Sequence, residues 1–301
     1  MLGRLFALLL VFSSLAPRAA QAQFEPRDLD REQSGEWYAA HLGIVGAALL
    51  TAGAVQYWSS PEREPNFRGA FGFERGTQQN FSIVSSRISD VTLGTALIAP
   101  VVAFGTNDSA VRFNNSLVIY GESLSLSLAV DTVTKHLVLR ARPYALSTSA
   151  RARAFADQEG KEQNLSFYSG HAALSFSAAT AGGLIFSDSG ADEASQITVW
   201  ALELSLASFT SHARMRAGMH FTSDVLVGAL MGSAFGLGVP LLQGVHPSVS
   251  EGEWVAMGGG LVLGTAAAFL LPTQMAETVL GYQPRVAPVA GGALVTLGSR
   301  W

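Results

Sequence analysis

Residues 214–230 read RMRAGMHFTSDVLVGAL, which sets an arginine, a histidine and an aspartate at the mouth of an otherwise apolar run. Phe221 to Leu242 is long and apolar enough for a buried helix. Charged groups persist at such a boundary when they are paired, bind something or do chemistry. Arg214 lies six residues before His220, and Asp224 lies four after it. On a helix the second spacing brings an imidazole and a carboxylate onto one face within hydrogen-bonding reach. A carboxylate that fixes one ring nitrogen leaves the other free as base or nucleophile. The plainer alternative is a helix-surface pair worth roughly a few tenths of a kcal/mol.

Five further apolar segments accompany this one: Ala39 to Trp58, Ile88 to Phe104, Ser116 to Leu139, His171 to Phe186 and Ile197 to Phe209. Six helices are the economical reading, and their Gly, Ala and Ser content permits close packing. The sequence therefore predicts an all-α six-helix bundle over residues 36–245. Residues 246–301 are expected to pack on it as an apolar segment followed by a short irregular or β-like tail that alternates weakly. Two long charged connections, from Ser59 and from Arg142, are candidates for functional surface or a lid.

The first 22 residues have the three parts of a secretory signal peptide. These are Arg4, an apolar stretch from Leu5 to Leu15, and Ala20-Gln21-Ala22 before the expected cleavage point. Residues 23–35 read as a flexible lead-in. The protein is thus expected to be exported to the cell envelope, either periplasmic or membrane-associated. A hydrophobic fraction of 49% and a mean hydropathy of +0.29 leave spanning open. Polar groups near or within the helices, Ser85, Arg87, Asp90, Glu122 and Asp131, favour a soluble or peripherally attached bundle over an integral one.

Composition removes several function classes. The chain of 301 residues has no cysteine, which excludes disulfides, thiolate metal sites and cysteine nucleophiles. A net charge of -4 without long charged runs gives no reason to expect nucleic acid as a partner.

Two other stretches place reactive groups at helix ends. Lys135 and Arg142 are seven residues apart, nearly in register after two turns, and Pro143 ends that helix. Alone, they also suit a solvated C-terminal turn. Ser169-Gly170-His171 opens the next apolar segment. There Ser169 is a plausible N-cap, the free N–H groups favour an anion, and His171 is placed to donate a proton. Together the stretches supply cations, a helix N-terminus, two histidines and a carboxylate, a complete kit for binding and attacking phosphate. No carboxylate cluster suggests a metal, so neither metal nor cofactor is expected.

The order and spacing resemble the type 2 phosphatidic acid phosphatase superfamily, which includes bacterial class A acid phosphatases and vanadium haloperoxidases. Its signature is Lys, six residues, Arg-Pro; then Pro-Ser-Gly-His; then Ser-Arg, five residues, His, three residues, Asp. Here it runs Lys135 to Arg142-Pro143, Tyr168-Ser169-Gly170-His171, and Ala213-Arg214 to His220 and Asp224. Tyr168 replaces the family's proline and Ala213 its serine, and neither change removes a charged or proton-transferring group.

The resemblance implies a bundle of the acid phosphatase/vanadium haloperoxidase type. It implies that Lys135, Arg142 and Arg214 clamp the phosphoryl oxygens with Ser169 and the Gly170 N–H. It further implies that His220 attacks phosphorus to form a phosphohistidine, Asp224 orients His220, and His171 protonates the leaving oxygen. The activity implied is metal-independent hydrolysis of phosphate monoesters or pyrophosphates, on a lipid phosphate, prenyl pyrophosphate or small soluble phosphate. The alternatives are a vanadate-dependent haloperoxidase, with vanadate as its cofactor, and a catalytically vestigial envelope protein. Neither the leaving group nor the oligomeric state is legible in the sequence.

Overall fold

A computed structural model describes residues 28–58, 64–69, 71–107, 109–271, 282–289 and 292–299. The expected signal peptide, residues 23–27 of the lead-in, and parts of the first charged connection and the tail lie outside the described residues.

The fold is all-α, with a C-terminal hairpin. All six apolar segments form helices: α1 (Gly35–Trp58), α2 (Ile83–Phe104), α3 (Ala110–Val138), α5 (Gly170–Ser187), α6 (Glu193–Arg216) and α7 (Thr222–Leu242). Two helices were not expected. The charged stretch α4 (Ala150–Glu159) forms because Ala152 and Ala156, one turn apart, are buried against Phe81, Tyr144 and Met219. In α8 (Glu251–Ala268) the run Gly258-Gly259-Gly260 weakens the helical signal. Tertiary packing overrides it, because a Cβ at Gly260 or Gly264 would run into α6 backbone at Ala201 and Ser205. The tail pairs β1 (Tyr282–Val289) with β2 (Gly292–Ser299) antiparallel, Val289 opposite Gly292.

Close approach of small residues sets the packing. Gly228, Gly232 and Gly236 form one stripe on α7, where an added Cβ would meet Ser169, Ala173 and Thr180 of the α5 segment. Such stripes let helices approach closely without large side chains between them. The main core lies away from the charged connections, around Ile119, Tyr120, Ile185, Phe186, Trp200 and Leu204. Each such side chain contributes about 1.5–3 kcal/mol on burial.

Consecutive long helices run in opposite directions and sort the connections onto two ends. At one end, residues 64–82, 139–169 and 217–221 meet, through Ser82 N–H to Ala217 O (3.3 Å), Tyr144 N–H to Gly218 O (3.1 Å) and Ser166 N–H to Arg140 O (3.0 Å). At the other, Arg112 of α3 pairs with Asp188 after α5 (2.9 Å) and with Asp30 (2.8 Å). Within 28–34 the lead-in is tied down, because Asn115 donates to the carbonyls of Leu29 (2.9 Å) and Arg31 (3.0 Å) and Leu29 is fully buried.

Among the described residues four helices, α1, α2, α3 and α7, are long and apolar enough to cross a membrane. Of the polar groups that argued for a soluble bundle, Ser85, Glu122 and Asp131 are buried within it, whereas Arg87 and Asp90, in the first turns of α2, stay exposed. Apolar side chains face outward instead, including Leu50 (76% exposed), Ile98 (62%), Leu230 (71%) and Val262 (70%). Outward apolar and inward polar is the distribution expected of a bundle in lipid.

Candidate active site

All eight expected site residues lie at the end where residues 64–82, 139–169 and 217–221 meet, and local sequence explains each position. Helix α3 stops when Leu139 adopts a left-handed conformation (φ 49°), its N–H bonded to Lys135 O (3.0 Å). Lys135 thus occupies the last turn, and its Nζ donates to Asp131 Oδ2 at 2.7 Å. Ser169 is the N-cap of α5, its Oγ accepting from Ala172 N–H (3.4 Å). Gly170 lies so close to Lys135 that a Cβ would sit 2.8 Å from Nζ and 2.6 Å from Asp131 Oδ2. Lys135 and the start of α5 therefore share one cradle, which only glycine leaves open.

Arg142 follows on the 139–169 connection, with Nε donating to Glu162 O (2.9 Å) and Nη1 reaching Met219 O (3.5 Å), next to His220. Arg214, in the last turn of α6, points Nη1 at Ser86 Oγ (3.0 Å), Ser89 Oγ (3.2 Å) and Asp90 Oδ1 (3.4 Å) of α2. The same Asp90 oxygen faces His171 Nε2 at 2.8 Å. Beyond α6 the chain turns at Gly218 (φ 71°), where a side chain would overlap the Asn80 carbonyl, and this turn delivers His220.

His220 differs from the expectation in one respect. Its direct hydrogen bond to Asp224 is absent, since Nδ1 and Oδ2 are 3.8 Å apart. His220 precedes α7, which begins at Thr222, so the helical four-residue rule does not govern the pair. Nδ1 instead bonds the Ser166 carbonyl at 2.9 Å. A carbonyl only accepts, so Nδ1 carries the proton and Nε2 keeps its lone pair. Burial, with Arg142, Arg214 and Lys135 nearby, holds the His220 pKa well below the ordinary 6.5, so the ring is neutral.

Asp224 is held by three donors: Arg140 Nη1 on Oδ1 (2.6 Å), and Ser166 Oγ (2.6 Å) and Phe221 N–H (2.9 Å) on Oδ2. The last bond also caps α7. Ser166 therefore links the two residues, its hydroxyl on Asp224 and its carbonyl on His220.

Arg140 and Glu74 escaped sequence reading. Arg140 is buried, with its guanidinium 4.1 Å from the Phe221 ring centre, Nη1 also on Ser223 Oγ (2.7 Å) and Nη2 on Glu74 Oε2 (2.9 Å). Glu74 in turn accepts from Ser223 N–H (2.7 Å) and Phe71 N–H (3.0 Å). Burial alone would raise the Glu74 pKa, but bonds from Ser223, Phe71 and Arg140 outweigh it and hold the carboxyl below its usual value. Arg140 lies inside the Lys135-to-Arg142 motif, yet nothing in its spacing marks it. Glu74 is 66 residues from Arg140 and joins it only through the fold.

Tyr168 and Ala213, the two departures from the family pattern, are both buried. The Tyr168 hydroxyl has no hydrogen-bond partner among the described residues. Among the described residues no group of three or more His, Asp or Glu side chains is arranged to hold a metal ion.

One end of the bundle thus gathers a lysine, two arginines, two histidines and a helix N-terminus, groups whose charge and free N–H donors favour an anion. Residues 116–246 match the family model of the PAP2 superfamily, the family that the three motifs resemble. The matched span holds all eight expected site residues and excludes Glu74 and Asp90. No curated protein and no solved structure matches the chain. The family match supports hydrolysis of phosphate esters.

Proposed function

We propose that the protein is a metal-independent phosphatase of the cell envelope that works through a phosphohistidine. The observation that carries this reading is the state of His220, which is neutral, with its proton fixed on Nδ1 by the Ser166 carbonyl and its Nε2 lone pair free. Lys135, Arg142 and Arg214 hold the phosphoryl oxygens together with Ser169 and the Gly170 N–H. Arginine forks suit phosphate, and fixed donors stabilise the charge of the five-coordinate transition state better than mobile water does.

Nε2 of His220 bonds to phosphorus as the phosphorus–oxygen bond to the leaving group breaks. His171, whose pKa burial and Arg214 push down to about 4 against the pull of Asp90, takes up a proton from solvent as the phosphate dianion binds beside it and passes that proton to the leaving oxygen. Water then attacks the phosphohistidine, His171 takes its proton, and inorganic phosphate departs. Asp224, 3.8 Å from the His220 ring, offsets the positive charge that develops there. No metal or other cofactor enters these steps. The substrate is a phosphate monoester or pyrophosphate, of lipid, prenyl or small soluble type, and the outward apolar faces support a bundle held in a membrane.

The test is phosphate release in EDTA by the detergent-solubilised protein and its His220→Ala variant, against a panel of those three substrate types. Metal-independent release that the variant lacks is expected. Release that requires a divalent cation, or that His220→Ala retains, contradicts the reading. Halide oxidation with vanadate and peroxide, without phosphate release, favours the haloperoxidase.

A further inference from the structure

Three phenylalanines at the site end are exposed, although the chain that carries them is bonded to the site. They are Phe67 (41% exposed), Phe71 (53%) and Phe73 (71%). Around Phe67 the main chain is fixed from inside, because Ala141 N–H donates to Phe67 O (2.9 Å) and Asn66 N–H donates to Leu139 O (3.0 Å). Phe71 and Phe73 flank the start of a short 3₁₀ helix, Gly72–Gln79, and their rings stack with centres 5.9 Å apart. Glu74 of that helix is buried and pinned by Phe71 N–H (3.0 Å), Ser223 N–H (2.7 Å) and Arg140 Nη2 (2.9 Å). The Arg140 guanidinium lies 5.4 Å from the Phe67 ring centre and 5.8 Å from that of Phe71. Two of the rings therefore meet, on one side, the arginine that holds Asp224, and stay open on the other.

Large apolar side chains fixed outward mark a surface that something covers, and the neighbouring helix ends say what. Helix α1 finishes at this end in Tyr57 and Trp58, both exposed, beside the 139–169 connection, where Lys161 Nζ donates to Gln56 O (3.0 Å). Helix α8 finishes there with exposed Phe269 and Leu270, since Leu271 O accepts from Arg216 Nε (2.7 Å). Aromatic side chains collect where spanning helices leave the hydrocarbon, and apolar rings enter the boundary between headgroups and acyl chains. The phenylalanines thus continue, at this end, the outward apolar faces of the helices. We propose that Phe67, Phe71 and Phe73 form a docking surface for the lipid bilayer interface, tied to the site through the Glu74–Arg140 pair. Lipid on the open side of the rings excludes water from the arginine behind them. A lower local dielectric strengthens the Arg140–Asp224 attraction and so steadies the carboxylate beside His220. The consequence for turnover rests on the phosphatase reading: kcat depends on lipid contact at these rings.

The chain has no cysteine, so single spin labels can report the depth of chosen positions. Phe73→Cys, with Phe71→Cys in reserve should the first fail to accumulate, is labelled with a nitroxide and reconstituted in vesicles of phosphatidylcholine and phosphatidylglycerol. Asp157→Cys, on the exposed face of α4, is the reference. Oxygen concentrates in lipid and a nickel chelate stays in water, so the ratio of their collisions with the label measures depth. That ratio should be about fivefold or more higher for the label at 73 than for the one at 157. Equal ratios place the phenylalanines in water, and low exposure to both reagents places them against protein; either result overturns the docking surface. The link to the site is read by release of phosphate from a soluble aryl phosphate in the same vesicles. Phe73 is largely exposed, so Phe73→Ser would be close to neutral if water surrounded it. Instead kcat should fall roughly three- to tenfold at unchanged KM and recover in Phe73→Trp. An unchanged kcat in Phe73→Ser overturns the link. If the unsubstituted protein releases no phosphate from any substrate, the hydrolysis reading fails, and label depth still decides the docking surface.

Discussion

Arg140 donates to Asp224 at 2.6 Å with both side chains buried, so the carboxylate nearest the proposed nucleophile is engaged by a cation outside the three motifs. Removing one partner of a buried pair leaves the other charge uncompensated, at a cost of about 3–5 kcal/mol. Arg140→Ala should therefore lower the unfolding midpoint severely, and Arg140→Lys should recover only part of it. A lysine offers one point charge where the guanidinium spans Asp224, Ser223 and Glu74. Thermal unfolding in detergent reads this directly, and an unchanged midpoint in Arg140→Ala contradicts it.

Ser166→Ala isolates the link between Asp224 and His220. It deletes the hydroxyl bond to Asp224 but keeps the carbonyl that holds His220. A hydrogen bond to a charged group contributes about 1.5–3 kcal/mol. We expect kcat to fall roughly ten- to hundredfold with KM little changed, since the substrate contacts remain. A raised KM at constant kcat would place Ser166 in substrate binding instead.

The lowered pKa of His220 has consequences of opposite sign for activity and stability. The folded ring stays neutral as pH falls through 6.5, so kcat/KM should hold on the acid side of that value before the nucleophile is protonated. In the unfolded chain the same ring titrates near its ordinary value of about 6.5 and takes up a proton that the native state refuses. The stability contributed by this group is thus present above that pH and declines below it. Profiles of kcat/KM and of unfolding midpoint against pH check both. An acid limb centred on 6.5 that vanishes in a His220 variant with residual activity would argue against the buried neutral ring.

Gly170→Ala tests the cradle shared by Lys135 and the start of α5. The new Cβ would meet both Nζ and the Asp131 carboxylate below 3.0 Å, so the lysine must withdraw. Alanine is otherwise the better helix residue. Activity should drop by tenfold or more, whereas the unfolding midpoint should change by no more than a few degrees. Full activity would separate Lys135 from the phosphate.

What was legible in the sequence follows from local against distant causes. The six apolar segments are local signals and appear as helices in place; α2 and α6 start earlier than their apolar runs, behind the capping residues Ser82 and Asp192. The three motifs lie at helix ends, so a bundle brings Lys135, Ser169, Arg214 and His220 to one end without further information. Helix α8 was hidden because its glycines weaken the helical signal until α6 covers them. Glu74 and Asp90 were hidden because each meets its partner, Arg140 or His171, across 66 or 81 residues. The His220–Asp224 spacing misled because His220 lies just outside the helix whose periodicity it was read with.

The central claim is that His220 Nε2 carries the phosphoryl group, and the most direct measurement is to trap it. The solubilised protein is mixed with the substrate it turns over best, quenched in alkali within the first turnover, and digested for mass analysis. Phosphohistidine survives alkali and is lost in acid. The account predicts one phosphate added to the peptide containing His220, stable in base, labile in acid and absent from His220→Ala. Steady turnover with no such adduct, or an adduct on His171 instead, would contradict it.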